Sequence, residues 1–559
     1  MSALQIAKYF IHLLVVMELL LISSSCEMEK NPADLIIIYA KIWTGNIDQP
    51  WAGAMAIQGD TILAVGSNED ILKLKGSKTN VLDLKNKFVT PGFIDSHVHF
   101  LTGGFNRSSV QLRDADTKEE FVRRIAEYAK TVKPGTWIIG GDWDHTLWGG
   151  TLPDKAWIDE VTPNHPVFVT RLDGHMSLAN SLALKLAGIS ETVKDIGGGT
   201  ILRNPAGKLT GIFKENAIAL IENKIPPPTD EQTDNALITA MNYVASNGVT
   251  SVHHMGGDLK ALQRARDNHR LITRIYAMTP LDNWKALKEQ IREKGNGDKW
   301  LKIGGLKGFV DGSLGSHTAA FLAAYTDSPA DSGFFVNSKE DLYQWTLAGD
   351  KEGLQVMIHA IGDRAIRYLL DMYDSVSKVN GPRDRRFRIE HAQHIAPEDI
   401  PRFSQTKVIP SMQPYHLIDD GRWAEKFIGT ERMKTTYAFK SLFDSGAAVA
   451  FGSDWFVAPP TPLEGIYSAV TRRTLDNKNP DGWIPEQKIT VEQALLAYTR
   501  NAAYASFDEK LKGTLEPGKL ADFAVINMDL TSIEPVRIRE AIILKTYVGG
   551  KEVYHSEDN

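Results

Sequence analysis

Val89-Thr-Pro-Gly-Phe-Ile-Asp-Ser-His-Val-His99 decides how the rest of the chain is read. It is an apolar, strand-forming run that ends in polar residues. In an extended strand, residues i and i+2 lie on one side. His97 and His99 therefore present two imidazoles to one face and can bind a single ion. Similar apolar runs recur downstream at Val249 to Met255, Ile272 to Met278, Leu301 to Val310, Leu354 to Ile361, Phe387 to Ala392, Val408 to Gln413 and Ala447 to Ser453. With the first run they make eight. Helical patterns at Glu119 to Val132, Asp234 to Ser246 and Asp363 to Ser377 lie between several of them. Strand–helix alternation predicts a parallel sheet, and eight units predict an α/β fold of the (β/α)8, or TIM, barrel type.

Both ends of the chain read differently from this middle. Asp34-Leu-Ile-Ile-Ile-Tyr-Ala, Ala54-Met-Ala-Ile and Thr61-Ile-Leu-Ala-Val are strand-like, with Gln58-Gly-Asp60 as a hairpin turn. Ala521 to Ile526, Ile542 to Tyr547 and Glu552-Val-Tyr are strand-like too, with Gly549-Gly550 as a turn. Residues 34–88 and 511–556 are thus expected to build one small β-sandwich domain around a barrel spanning 89–510. The interval between the first and second barrel strands is too long for a simple crossover. An inserted subdomain over approximately 135–228 is expected there, closed by Pro226-Pro227-Pro228.

Chemistry in such barrels gathers at the C-terminal ends of the strands. Those ends carry His97 and His99, Lys307 followed by Asp311, His359, Glu390-His391-Ala-Gln-His394, and Asp454. Taken singly, each has an ordinary structural reading: a core histidine, a helix-capping aspartate, a buried ion pair. Their recurrence in order, at one end of successive strands, points to a metal site. In the insert, Trp137, Trp143, Trp148 and Trp157 are read either as its own core or, in part, as the lining of an apolar substrate site with Trp143 as a contact.

The formal charge of −6 and the absence of a long basic run speak against a nucleic-acid partner. The lone Cys26 excludes an intrachain disulfide and a cysteine-rich zinc site. Residues 1–26 hold an apolar run, Tyr9 to Ile22, then Ser23-Ser24-Ser25 and Cys26. That order resembles a bacterial lipoprotein signal, which implies export, lipidation of Cys26 and a membrane tether in the periplasm or cell envelope. A plain secretory signal or an uncleaved anchor is the alternative.

Pro91-Gly-Phe-Ile-Asp-Ser-His-Val-His, Phe451-Gly-Ser-Asp454 and Gly513-Thr-Leu-Glu-Pro-Gly-Lys-Leu-Ala-Asp-Phe resemble signatures of the amidohydrolase superfamily. Gly141-Asp-Trp-Asp, Asp173-Gly-His, Gly211-Ile-Phe-Lys-Glu215, His359-Ala-Ile-Gly-Asp and Ile389-Glu-His-Ala-Gln are similar to the large-insert branch that contains N-substituted formamide deformylase. The resemblance implies that His97, His99 and Asp454 hold a first ion and that His359 and His391 hold a second, with His394 as the alternative to His391. It implies that Lys307 stands where relatives carry a carboxylated lysine bridging two ions. One or two divalent ions are expected, Zn2+ or another transition metal. Relatives are often dimers, so a homodimer is compatible with the resemblance.

The expected reaction is hydrolysis of a non-peptide carbon–nitrogen bond in a small-molecule amide or formamide by metal-activated hydroxide. Asp454 is expected to move the proton. His175 is the candidate for oxyanion or substrate contact, and Asp311 and Glu215 for substrate contact. A deaminase acting on a C=N group, with one ion and an unmodified Lys307, is the rival within enzymes. A non-catalytic exported solute-binding barrel is the rival outside them.

Overall fold

The computed structural model describes residues 32–171, 176–196, 199–256, 259–315 and 317–557, the side chains of residues 146, 215 and 216 excepted. Cys26 and its apolar leader lie outside the described residues. Among the described residues no helix is long and apolar enough to cross a membrane.

Eight parallel strands form one sheet in chain order: β1 (Phe93–Val98), β2 (Val249–His254), β3 (Arg274–Pro280), β4 (Leu301–Phe309), β5 (Gln355–Ala360), β6 (Arg388–His391), β7 (Ile409–Met412) and β8 (Ala450–Phe451). The ring closes just beyond the short β8. There the Asp454 N–H donates to the His97 carbonyl and the His99 N–H to the Trp455 carbonyl, both at 2.7 Å. The architecture is the (β/α)8 barrel that the strand count predicts.

The apolar run at Val89 to His99 is two strands, not one. Phe88–Pro91 pairs antiparallel with Phe523–Ile526 in a six-stranded sheet, and β1 begins after Gly92. A Cβ on Gly92 would lie 2.3 Å from Thr250 side-chain atoms, so the chain crosses into the barrel where only glycine fits. The six-stranded sheet takes strands from both chain ends. It lies beside a four-stranded sheet of Ala33–Ile38, Ala54–Gln58, Thr61–Gly66 and Lys75–Asp83.

The helix expected at Asp234 to Ser246 starts a turn earlier, as α1 (Asp230–Ser246). Thr229 and Gln232 form a capping box that satisfies amide groups of the first turn, directly after the three prolines. Its buried Leu237, Ala240, Met241 and Val244 recur at three- and four-residue spacing and join the barrel's hydrophobic core.

Between β1 and α1 the chain builds a separate five-stranded sheet, ordered Gly199–Arg203, Leu209–Glu215, Met176–Ala179, Val167–Arg171 and Ile138–Trp143. Trp143 is fully buried in this unit and donates its indole N–H to the Val169 carbonyl at 2.9 Å. Trp148 and Trp157 pack on the same cluster. The expectation of Trp143 as a substrate contact is therefore corrected: it belongs to the insert's core.

Buried charge fastens the β domain to the barrel. Arg274, at the start of β3, makes a two-pronged pair with Asp522 at 2.7 and 2.9 Å, and both are almost wholly buried. Asp522→Ala leaves the Arg274 charge buried and unpaired. The expected loss is about 3–5 kcal/mol of unfolding free energy, read by urea or thermal denaturation. A paired Arg274→Met, Asp522→Leu replacement is expected to lose much less.

Candidate metal centre

The chain reverses sharply as it leaves two of the barrel strands. His391 and Asp454 both have positive φ, 72° and 59°, although neither is glycine. Such backbone costs about 1–3 kcal/mol and persists only where surroundings over-determine it. Here it turns a ligand-type side chain into the barrel mouth in each case.

His97, His391 and Asp454 bring one ligand atom each within 4.8 Å of one another, all buried. His99 joins them with its Nε2 at 3.3 Å from Asp454 Oδ1, and His97 Nε2 stands 3.4 Å from the same oxygen. The His359 ring lies 4.4 Å from that of His391 and 5.4 Å from that of Phe309. Lys307, on β4, is buried with its Nζ 4.3 Å from the Phe309 ring centre. The six predicted ligands therefore gather at one end of the barrel. His394 is elsewhere: its Nδ1 contacts Thr436 Oγ1 at 2.9 Å and its ring packs against Phe321.

The protonation of the cluster suits a cation. Burial, then the Lys307 charge, pushes His97 down to about 4 and His359 down to about 3. Burial and the neighbouring imidazoles hold His391 well below its ordinary value. These rings are neutral at pH 7 and offer lone pairs. Burial raises the Asp454 carboxyl, but the His99 contact and the nearby histidines more than offset it and keep it anionic. Burial lowers the Lys307 ammonium to about 8, against the pull of Glu390 and Asp454.

His97 Nε2, Asp454 Oδ1 and Lys307 Nζ are all shut from solvent without a hydrogen-bond partner among the described residues. Leaving buried polar atoms unsatisfied is costly. A divalent cation facing the two ligand atoms removes that cost, so the donor set fits a metal.

The layer below the ligands is one that sequence reading overlooked. Glu390 Oε2 lies 2.6 Å from His97 Nδ1, which leaves Nε2 as the ligand nitrogen. Arg388 pairs with Glu390 at 2.7 Å, and with the His97 contact it carries the carboxyl down to about 2 despite burial. Gln413 Oε1 holds His391 Nδ1 at 2.8 Å. Asp95 accepts from the Ser453 amide and hydroxyl at 2.9 and 2.5 Å, bracing the loop before Asp454. The signal for Glu390 was its spacing of two from Arg388 on β6, which puts both side chains on one strand face, the one in the barrel interior.

Asp311 is also reassigned. Its carboxylate accepts the amides of Ala320, Ile361 and Gly362 at 2.8–3.0 Å, so it ties the loop after β4 to the end of β5 rather than facing a substrate. His175 lies outside the described residues, as does the side chain of Glu215.

The Amidohydrolase family profile matches residues 80–554. The protein LONG AFTER FAR-RED 3 of Arabidopsis thaliana is 42% identical over 537 residues, covering 93% of this chain and 92% of that protein. N-substituted formamide deformylase of Arthrobacter pascens is 27% identical over 543 residues, covering 92% and 97%. The crystal structure of an uncharacterized metal-dependent hydrolase from Pyrococcus horikoshii superposes with a TM-score of 0.76 at 28% identity, covering 90% of this chain and 99% of that one.

Glu390→Gln removes the carboxylate that orients His97 without changing its size. Metal affinity is expected to fall about 10–100-fold while the far-ultraviolet spectrum is unchanged, as measured by chelator competition. Undiminished affinity would assign Glu390 to the Arg388 pair alone.

Proposed function

The chain belongs to the amidohydrolase family, and from that premise we propose that it hydrolyses the carbon–nitrogen bond of a small amide or formamide. The family and the buried His/His/Asp cluster make it a metal-dependent hydrolase. The observation that carries the finer reading is a buried anionic Asp454 among neutral imidazoles, beside a buried lysine. The formamide deformylase relative, similar over nearly the whole chain, supports the choice of bond.

One or two divalent ions, zinc foremost, would acidify water and polarise the substrate carbonyl. His97, His99 and Asp454 would hold one ion, and His359 and His391 a second. Asp454 takes the proton of the attacking water and returns it to the leaving nitrogen, which departs as an amine. Hydrolysis of an amide needs that delivery, because an unprotonated amide anion is a very poor leaving group.

Lys307 has its own chemistry. Its neutral amine adds to CO2 and releases one proton, giving a carbamate. This would replace a buried ammonium by an anionic oxygen able to act as a metal ligand. The depressed ammonium favours this reaction, since the neutral amine is the nucleophile. CO2 uptake by metal-free protein is therefore expected to quicken as pH rises and to level off above about 8. Mass spectrometry of trapped carbamate reads it, and Lys307→Ala abolishes it.

The deciding experiment is metal content per chain after purification without chelator and with bicarbonate. About two ions per chain, with turnover of small formamides lost on chelation, is the expected result. One ion with an unmodified Lys307 would favour a deaminase, and no ion would overturn the hydrolase mechanism. Asp454→Asn is expected to lower kcat at least about 100-fold.

A further inference from the structure

One imidazole at the barrel mouth has no place in the ligand set. His416 lies in α2 (Pro414–Asp420), which starts directly after β7. Gln413, the residue just before this helix, holds His391 with its side chain. Three residues on, the His416 ring stands 6.4 Å from the His391 ring and nearly parallel to it, at 12°. It is outside the triad of closest ligand atoms. Its Nε2 is shut from solvent and has no hydrogen-bond partner among the described residues, the condition also seen at His97 Nε2 and Asp454 Oδ1. Asp454 is the charge that acts on it most, and the Ser453 backbone faces the ring.

We propose that His416 is a specificity-determining residue whose Nε2 accepts the N–H of a secondary amide substrate. This rests on the hydrolase reading above. A neutral imidazole carries one N–H and one lone pair. With the N–H placed on Nδ1, towards the Ser453 backbone, the lone pair is on the unpartnered Nε2. Asp454 delivers its proton to the leaving nitrogen, and His416 stands next to His391 of the same cluster and feels the Asp454 charge, so the proposal puts the leaving nitrogen within reach of both. Holding its N–H raises electron density on that nitrogen as it becomes tetrahedral. An ester oxygen or a tertiary amide nitrogen has no hydrogen to offer and leaves Nε2 buried and unsatisfied. The class selected is the N-monosubstituted amides.

The test compares N-butylformamide, N-butyl-N-methylformamide and butyl formate on metal-loaded wild type, His416→Phe and His416→Gln. For each substrate the ratio of variant to wild-type kcat/KM cancels intrinsic reactivity. His416→Phe is expected to lose about tenfold on N-butylformamide and to stay within about twofold on the other two. His416→Gln, whose Oε1 can accept, is expected to keep most of the selectivity. Metal per chain by elemental analysis is expected to be unchanged in both. An equal loss on all three substrates, a loss of metal, or no change on N-butylformamide would each overturn the proposal. Wild type that hydrolyses none of the three would overturn the hydrolase reading, and this proposal with it.

Discussion

The site is built on a single buried ion pair. Arg388 and Glu390 stand two residues apart on β6, both without solvent exposure, and meet at 2.7 Å. Arg388 also reaches the Ser96 carbonyl on β1, Ser411 Oγ on β7 at 2.9 Å and His253 Nδ1 on β2 at 3.0 Å. One guanidinium thus gathers four strands at a common level of the barrel interior. A buried ion pair is weak evidence for stability, since desolvation offsets much of the attraction. Its value here is orientation: the Glu390 carboxylate it anchors fixes which nitrogen of His97 faces upward.

Above that level the barrel mouth concentrates groups that a folded protein ordinarily avoids burying alone. Two ligand atoms and an ammonium lack partners among the described residues, and His391 and Asp454 hold left-handed backbone. The surroundings over-determine these features. Asp95 braces Ser453, Gln413 holds His391, and the closing hydrogen bonds between β1 and the segment after β8 lock Asp454 beside His97. The strain is what a preorganised cation site requires. Ligands that do not relax away from one another need little rearrangement when the ion arrives.

Where local pattern carries the information, the sequence was legible. The eight strands were countable because each is a short apolar run, and their C-terminal ends were recognisable because polar residues follow. Boundaries were not, and the reasons are specific. The run Val89 to His99 is continuous in hydrophobicity, yet it divides at Gly92 because Thr250, far away in sequence, approaches the backbone there. Helix α1 begins at a threonine–glutamine capping box that apolar periodicity does not register. Trp143 and Asp311 read as substrate contacts in the sequence because tryptophan and aspartate are ambiguous residue types. Their partners, the Val169 carbonyl and three backbone amides, come from other elements.

By itself the sequence determined the fold class and the metal-ligand residue types at the strand ends. Strand periodicity, the His97 and His99 spacing and the polar strand ends are all short-range properties, readable within a few residues. Tertiary structure alone decided which histidine of the β6 pair enters the cluster, that Glu390 lies beneath His97, and that His416 stands beside His391. Those facts depend on how neighbouring strands register and where each chain reversal aims its side chain. Both are set by contacts between residues tens to hundreds of positions apart.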